Sequence, residues 1–445
     1  MKRLIRKTKH LSSFQFIILG FALVVLAGTI LLMLPIASKQ RIVTPLSEAL
    51  FTSTSAVCVT GLVVQDTASY WSLFGQIIIL ILIQIGGMGV ITVAASFALV
   101  SGRKISLMQR STMQEAIAAP KMGGIVRLTG FVIRITLFLE VLGAVIMMPV
   151  FVRDVGVKGI WLAIFHSISA FCNAGFDIMG TEGVPFASLT AYSGNPVINI
   201  TIVLLIIIGG IGFLTWDDIR ANKHQLKHYR MQSKVILVTT AILILVPTIY
   251  LYFIEFNNLS GSQRILVSLF QAVTPRTAGF NTVDLTSFSG VGHMILIILM
   301  LIGGSPGSTA GGMKTTTVAV LFANAMAVFR KKEDAHFFGR RIENGVVRNA
   351  STVLSMYLIL FLCGAAVISI VENLPIGICL FETASAIGTV GLTLGITPQL
   401  GLVSRLILIT LMFLGRVGGL TLIYAALSGT NRNLSKLPQE KITVG

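Results

Sequence analysis

The sequence is poor in acidic residues, in cysteine and in long polar runs. Asp and Glu number 17 in 445 residues, against 34 Lys and Arg. Charged residues make up only 11% of the chain, and mean hydropathy is +0.87. No polar stretch is long enough for a soluble domain of the common size, about 100 residues. The four cysteines, Cys58, Cys172, Cys363 and Cys379, form no CxxC pair and share no zinc-like spacing with histidine. A disulfide framework and a zinc module are therefore not expected. No nucleophile–base arrangement or metal cluster stands out, so an enzyme is not expected either.

Apolar runs of about 20 residues recur, each enough to cross about 30 Å of hydrocarbon. The net charge of +17 would suggest nucleic acid in a soluble protein, but the cations are placed otherwise. The N-terminal tail holds 5, segment 103–134 holds 6, segment 220–234 holds 5, segment 330–348 holds 6 and the C-terminal tail 3. The intervening loops hold Lys39, Arg41, Arg153, Lys158, Arg264, Arg276 and Arg405, while Lys314 and Arg416 fall inside apolar segments. Every second loop is basic, which marks the cytoplasmic side and puts both termini on it. The first apolar segment, from Phe14 to Pro35, is long for a signal-peptide core and reads as a retained span.

One stretch organises the rest: Phe51-Thr-Ser-Thr-Ser-Ala-Val-Cys-Val-Thr-Gly61. It recurs from Phe165 through Ser169, Cys172 and Asn173 to Gly175. A third copy runs from Phe270 through Thr274, Pro275 and Thr277 to Gly279, and a fourth from Phe381 through Ser385, Ile387 and Thr389 to Gly391. Phe-to-Gly offsets are 10, 10, 9 and 10, and successive glycines lie 114, 104 and 112 residues apart. A second landmark follows each: Gly86-Gly87-Met88-Gly89, Gly209-Gly210-Ile211-Gly212, Gly303-Gly304-Ser305-Pro306-Gly307 and Gly415-Arg416-Val417-Gly418. Two landmarks in a fixed order are the signature of a repeat architecture.

Each repeat reads as span, short helix, glycine segment, span. The boundaries are 14–102 (repeat 1), 120–219 (repeat 2), 232–330 (repeat 3) and 346–428 (repeat 4), with tails 1–13 and 429–445. Spans are expected at 14–35, 71–100, 124–152, 195–216, 234–256, from 288, 347–371 and 402–428. Short helices are expected at 45–58, 159–172, 262–273 and 375–387. The fold class is an all-α polytopic membrane protein with eight spans and four re-entrant pore helices. Two spans per repeat bring every glycine segment in from the outer face, so the repeats are parallel and form a pseudo-four-fold ring around one pore. Inverted-repeat transporters would alternate faces.

Non-helical backbone at membrane depth is tolerated where it is buried in protein or lines a water-filled cavity. Glycine permits the restricted backbone that turns carbonyls inward, where they replace the hydration shell of a cation. The candidate filter is Val59-Thr60-Gly61, Asn173-Ala174-Gly175, Thr277-Ala278-Gly279 and Thr389-Val390-Gly391. It contains no acidic ring, which favours a monovalent alkali cation over calcium. His166 and Glu382 fall on the short helices as packing or capping groups, and Asp217 and Asp218 as solvated groups at a helix end.

After Ile302 the third repeat departs from the others, with a glycine- and proline-rich run that cannot sustain a helix. It is either a kink that helps packing or a flexible intramembrane loop, 303–317, below the filter. It fails the phosphate-binding pattern G-x-x-x-x-G-K-[ST], because Met313 separates Gly312 from Lys314. Arg416 lies too far inside its helix to snorkel. It either faces the pore or pairs with a carboxylate such as Glu140 or a helix-end carbonyl.

With these residues in place, the chain resembles the membrane subunit of the Ktr/Trk/HKT family of potassium transporters, closest to the bacterial Ktr type. The four glycines match the family's filter mark, and the resemblance covers residues 14–428. Trk-type members carry two further N-terminal helices without a counterpart here. The resemblance implies potassium uptake, and Gly61, where plant HKT members often have serine, points to potassium over sodium. The alternative is a sodium-selective or sodium-coupled cation transporter of the same architecture. The resemblance also implies a gate made of Gly303, Gly304, Ser305, Pro306, Gly307, Gly311, Gly312 and Lys314, with Arg416 close by. It implies a homodimer in the cell membrane bound to a cytoplasmic nucleotide-binding regulatory ring (KtrA-like). Potassium is then the transported ion at the filter glycines, with sodium as an activator. ATP or ADP is expected on the partner, because this chain has no nucleotide fingerprint and no cofactor of its own.

Overall fold

The computed structural model describes residues 12–90, 92–93, 107–117, 124–419 and 440. Almost all of both tails, and the inner ends expected for the second spans of repeats 1 and 4, lie outside the described residues.

Helix α1, Ser13–Met33, starts at a capping box. Ser12 Oγ accepts from Gln15 N at 3.3 Å and Ser12 N donates to Gln15 Oε1 at 3.0 Å. Its 21 residues reach about 32 Å at about 1.5 Å per residue, one hydrocarbon thickness. The short helix α2, Leu46–Cys58, starts after Pro45 and ends in the left-handed Val59. Helix α3, Leu73–Met88, starts at Ser72, which accepts from Gly75 N. Helix α4 is Leu107–Ile117, between repeats 1 and 2. Repeat 2 supplies α5 (Ile125–Val155), α6 (Lys158–Phe171), α7 (Pro196–Gly210) and α8 (Phe213–Asn222). Repeat 3 supplies α9 (Met231–Tyr250, prolonged by a π-turn at Leu251–Glu255), α10 (Gly261–Val273), α11 (Gly290–Leu301) and α12 (Thr315–Phe329). Repeat 4 supplies α13 (Asn344–Glu372), α14 (Ile376–Gly388) and α15 (Leu402–Val417). A small hairpin, β1 (His336–Phe337) with β2 (Arg340–Arg341), precedes α13. Neither α4 nor the hairpin carries a strong sequence signal.

The first helix of each repeat, α1, α5, α9 with its π-turn, and α13, is long and apolar enough to cross a membrane. The second helices are not the unbroken spans expected at 71–100, 195–216 and 402–428. They stop at Met88, Gly210 and Val417, and the last glycine of the second landmark supplies the break. Gly89 (φ 84°, ψ 134°), Gly212 (φ 94°, ψ 141°) and Gly418 (φ 87°, ψ 139°) share one conformation closed to most side chains. Beyond Gly212, α8 leaves α7 at 95°. In repeat 3 the break is the whole stretch 302–314, after which α12 resumes.

Equivalent carboxylates join the two long helices of repeats 3 and 4, one in each repeat. Glu255 accepts from Ser289 N at 3.1 Å ahead of α11, and Glu372 accepts from Gly401 N at 2.9 Å ahead of α15. Each places an anion at a helix N-terminus, where the helix dipole favours it.

The first glycine of the second landmark lets each second helix cross its own short helix. A Cβ at Gly86, Gly209 or Gly415 would collide with the carbonyl of Val57, Phe171 or Ile387, the residue six beyond the repeat's phenylalanine in each case. In repeat 3 the equivalent Gly303 meets Gly311 of its own loop instead. We expect Gly86→Ala, Gly209→Ala and Gly415→Ala each to lower the thermal stability of the purified protein, by about 1–3 kcal/mol for forced overpacking. Gly130→Ala on α5, with nothing within 4 Å of the new methyl, leaves it unchanged or raised. A thermal ramp read by size-exclusion chromatography checks this.

Candidate ion site

The helices α2, α6, α10 and α14 deliver four backbone strands to one place. In each strand the first residue is left-handed, at φ 58° (Val59), 59° (Asn173), 68° (Thr277) and 52° (Thr389). The third residue is glycine with positive φ, at 91° (Gly61), 68° (Gly175), 82° (Gly279) and 96° (Gly391). Three of the four left-handed non-glycine residues are β-branched, a conformation such residues avoid unless their surroundings impose it.

The imposing groups are repeated too. The hydroxyl residue four after each phenylalanine is Ser55, Ser169, Thr274 or Ser385. Its carbonyl accepts from the residue before the glycine: Thr60 N at 2.8 Å, Ala174 N at 2.8 Å, Ala278 N at 2.9 Å and Val390 N at 2.8 Å. Ser55 and Ser385 Oγ accept from Gly61 N at 3.1 Å and Gly391 N at 3.0 Å. Ser169 Oγ and Thr274 Oγ1 donate to the carbonyls of Phe176 at 2.7 Å and Phe280 at 2.5 Å. These hydroxyls lay inside the repeated sequence stretch, but only geometry assigns them a part.

The four strands close on one another. A Cβ built on Gly61 would lie 2.5 Å from the carbonyl oxygen of Ala174, and one on Gly175 would lie 2.6 Å from that of Ala278. One on Gly279 would strike the carbonyl of Val390, and one on Gly391 that of Thr60. The order runs from repeat 1 to 2, 3, 4 and back to 1. The result is a ring of four glycines interleaved with four carbonyls. The twelve residues named for the filter are all buried in it. Four helix C-termini, each carrying partial negative charge, end at this ring.

The stretch 302–314 packs beneath. Its ends are tied by Gly303 N to Met313 O (2.8 Å) and Thr315 N to Gly304 O (3.0 Å). It satisfies carbonyls that the broken helices leave free: Ser305 N donates to Gly210 O (2.9 Å), Thr309 N to Gly209 O (3.2 Å) and Gly312 N to Gly415 O (3.2 Å). Gly311 is so close to Thr389 that a Cβ would meet its hydroxyl, and Gly312 abuts Gly388. Lys314 Nζ folds back on the loop, donating to the carbonyls of Ala310 (2.9 Å) and Gly311 (3.3 Å). A cavity of about 430 Å³ is lined by Pro306, Gly307, Lys314, Arg416 and Phe14, and by none of the twelve ring residues. The loop thus stands between cavity and ring.

Arg416 pairs with carbonyls, not with Glu140. Its guanidinium donates to Thr309 O of the loop and to Gly86 O and Gly87 O at the end of α3, the last at 3.2 Å. It ties repeat 4 to repeat 1 and to the loop. Glu140 instead accepts from Gln84 Nε2 at 3.0 and 3.2 Å.

Two other placements, Arg276 and Asp218, differ from the sequence reading, whereas His166 and Glu382 are packing and capping groups as expected. Arg276, counted with the outer-loop cations, is 4% exposed behind the third strand, with Nη2 donating to Thr240 Oγ1 at 3.3 Å. Asp218 is buried rather than solvated, accepting from Arg230 N at 2.8 Å and Asn222 Nδ2 at 2.9 Å. His166 is packed among Phe151, Phe165 and Phe280. Glu382 accepts from Thr393 Oγ1 at 2.8 Å and from Thr397 Oγ1, bracing the segment after Gly391.

Long apolar helices, interrupted partner helices and a buried ring of backbone carbonyls describe a multi-pass membrane protein with irregular backbone enclosed by protein. The chain matches the TrkH family, described as cation transport protein, over residues 6–434, and it belongs to that family. It is 40% identical to the potassium/sodium uptake protein NtpJ of Enterococcus hirae, over 100% of this chain and 99% of that protein. It is 36% identical to the Ktr system potassium uptake protein B of Bacillus subtilis, over 97% of this chain and 96% of that protein. In fold it is similar to the crystal structure of the potassium transporter TrkH from Vibrio parahaemolyticus, with a TM-score of 0.72 at 21% identity, covering 95% of this chain and 86% of the other.

A side chain at Gly61 both strains the backbone at φ 91° and displaces the Ala174 carbonyl. We expect Gly61→Ser to reduce discrimination between potassium and sodium about tenfold, the equivalent of about 1.4 kcal/mol. Competition uptake in reconstituted vesicles reads this directly, and an unchanged ratio removes Gly61 from the ion path.

Proposed function

We propose that this protein takes up potassium across the cell membrane through the ring, with the carbonyls of Thr60, Ala174, Ala278 and Val390 replacing water around the ion. The single observation that carries this reading is the closed circuit of glycine–carbonyl contacts, which leaves backbone oxygens as the converging polar groups. Potassium is also the ion for which the relatives are named. Sodium transport is the second reading, favoured by one relative's name, potassium/sodium uptake protein. Expression in a cell that lacks potassium uptake separates them: growth and flux should follow potassium, and flux that follows sodium alone rejects the first reading.

The gate is assigned to Gly303, Gly304, Ser305, Pro306, Gly307, Gly311, Gly312 and Lys314, with Arg416 as its latch. Its position between cavity and ring supports this. So does its construction, because it is fixed largely by hydrogen bonds from its backbone, from Ser305 and Thr309 and from two long cationic side chains, with Met313 its one large apolar anchor. Deleting Ala310–Gly312 should raise flux severalfold, and Arg416→Ala should change flux far more than the amount of folded protein. If both lower only expression, the stretch is a packing element.

Regulation is assigned to a separate cytoplasmic ring of nucleotide-binding subunits under a homodimer of this chain, with both termini on that side, sodium as an activator and ATP or ADP bound by the ring. The alternating basic loops and the relatives named as Ktr-system proteins support this assignment. A ring that binds two loop positions with different affinity would shift the loop between them. Co-expressed with such a ring, the chain should co-purify and its flux should respond to ATP against ADP. Nucleotide-independent flux with no complex rejects the assignment.

A further inference from the structure

Asn173 breaks the symmetry of the ring. The equivalent residues are Val59, Thr277 and Thr389, and none of these carries an amide. The Asn173 amide, 1% exposed, spans two groups of partners. One end lies 3.4 Å from the carbonyl of Arg276 and 3.3 Å from Thr277 Oγ1, both on the strand of repeat 3. The other end faces the last turn of α6, where the carbonyls of Ala170 and Phe171 are both acceptors, so the amide nitrogen belongs at that end, 3.3 Å from each. At that same end stands Thr309 of the loop. Its hydroxyl donates to Phe171 O at 3.1 Å and lies 3.5 Å from the amide. Gly209 leaves the space: a Cβ there would lie 2.9 Å from both the Asn173 amide and Thr309 Oγ1. Thr309 is fully buried, so water does not substitute for these bonds without a change in packing.

Resting on the assignment of the ring as filter and the loop as gate, we infer that Asn173 and Thr309 form a joint through which the position of the loop sets the ion preference of the filter. Withdrawal of the loop carries Thr309 away from Phe171 O and from the amide. Phe171 O, which accepts from both Thr309 Oγ1 and the Asn173 nitrogen, is then left to the amide alone, and the hold of the amide on the Thr277 strand is rebalanced. One polar side chain thus belongs to two hydrogen-bond sets, one biased by the loop and one by the ion path, which is the requirement for coupling between them. The other loop-to-ring approaches, Gly311 on Thr389 and Gly312 on Gly388, involve no side chain of the loop and transmit only steric contact.

The test uses the full chain in reconstituted vesicles, with uptake measured for potassium and sodium separately. Thr309→Val removes the hydroxyl at nearly constant volume, Thr309→Ser retains it, and Asn173→Gly removes the amide while keeping the left-handed backbone accessible. Thr309→Val should shift the potassium-to-sodium ratio about fivefold, the scale of one net hydrogen bond, while Thr309→Ser stays near the parent. The double variant Thr309→Val/Asn173→Gly should show no further shift beyond Asn173→Gly alone. A changed total flux with an unchanged ratio in Thr309→Val overturns the joint but leaves the gate standing. Multiplicative shifts in the double variant overturn it as well. If Thr309→Val does not fold, Thr309→Ala makes the same deletion, and thermal stabilisation of the purified protein by potassium against sodium supplies the ratio without flux. The parent chain is the separate control: absence of potassium uptake there rejects the proposed function itself.

Discussion

The structure depends on one constraint: four backbones must approach so closely that a carbonyl of each fills the space where the next would carry a Cβ. Only glycine meets it, and it has to be met four times in a closed circuit. Backbone at this depth has no water to satisfy it, so each strand must find its hydrogen bonds in its own repeat. The repeated hydroxyl residue supplies them, holding β-branched residues in left-handed conformations that an open chain would abandon. Strain and restraint are therefore local to a repeat, whereas closure belongs to all four.

The surrounding helices follow from that constraint. A short helix must end at the ring, so it cannot also cross the membrane, and a second helix must pass close behind its C-terminus. The glycines Gly86, Gly209 and Gly415 make that crossing possible in three repeats. The cost is three helices that stop one turn later at Gly89, Gly212 and Gly418. Repeat 3 solves the problem differently. It replaces the crossing and the stop with a stretch whose amides cap the ends of α7 and α15, so the loop is stabilised by what its neighbours lack.

Much of this was legible in the sequence, because a period and an internal offset survive any uncertainty about packing. The fold class, the four glycines and the unusual third repeat all came from counting. The breaks in the second helices did not. A hydropathy window averages over a single glycine, and the residues flanking Gly89 are as apolar as those of a continuous span. Buried charge was also misread in places. Arg276 sits among loop residues in sequence but folds behind a ring strand, and Asp218 binds the backbone amide of Arg230 twelve positions away. Hydropathy reports composition, whereas burial of a charged residue is decided by which carbonyl, hydroxyl or amide happens to face it. The placement of Arg416 illustrates this, because the sequence offered a carboxylate or a helix-end carbonyl as its partner, and only the fold shows that Gly86, Gly87 and Thr309 supply it.

Those carbonyls explain how Arg416 and Lys314 can reside beside the proposed ion path. Arg416 and Lys314 donate to main-chain oxygens of the loop and of α3, so each carries its neutralising dipoles with it rather than a carboxylate. A carboxylate in that position would bind a passing potassium ion more strongly than a carbonyl does and would hold it. If the loop leaves as proposed, Arg416 loses the Thr309 carbonyl and keeps those of Gly86 and Gly87, so the open arrangement needs one further acceptor. The asymmetry of repeat 3 and the arginine of repeat 4 are thus linked: the repeat that gave up its helix crossing supplies one of the acceptors, and α3 of repeat 1 the others, that allow its neighbour to bury a charge.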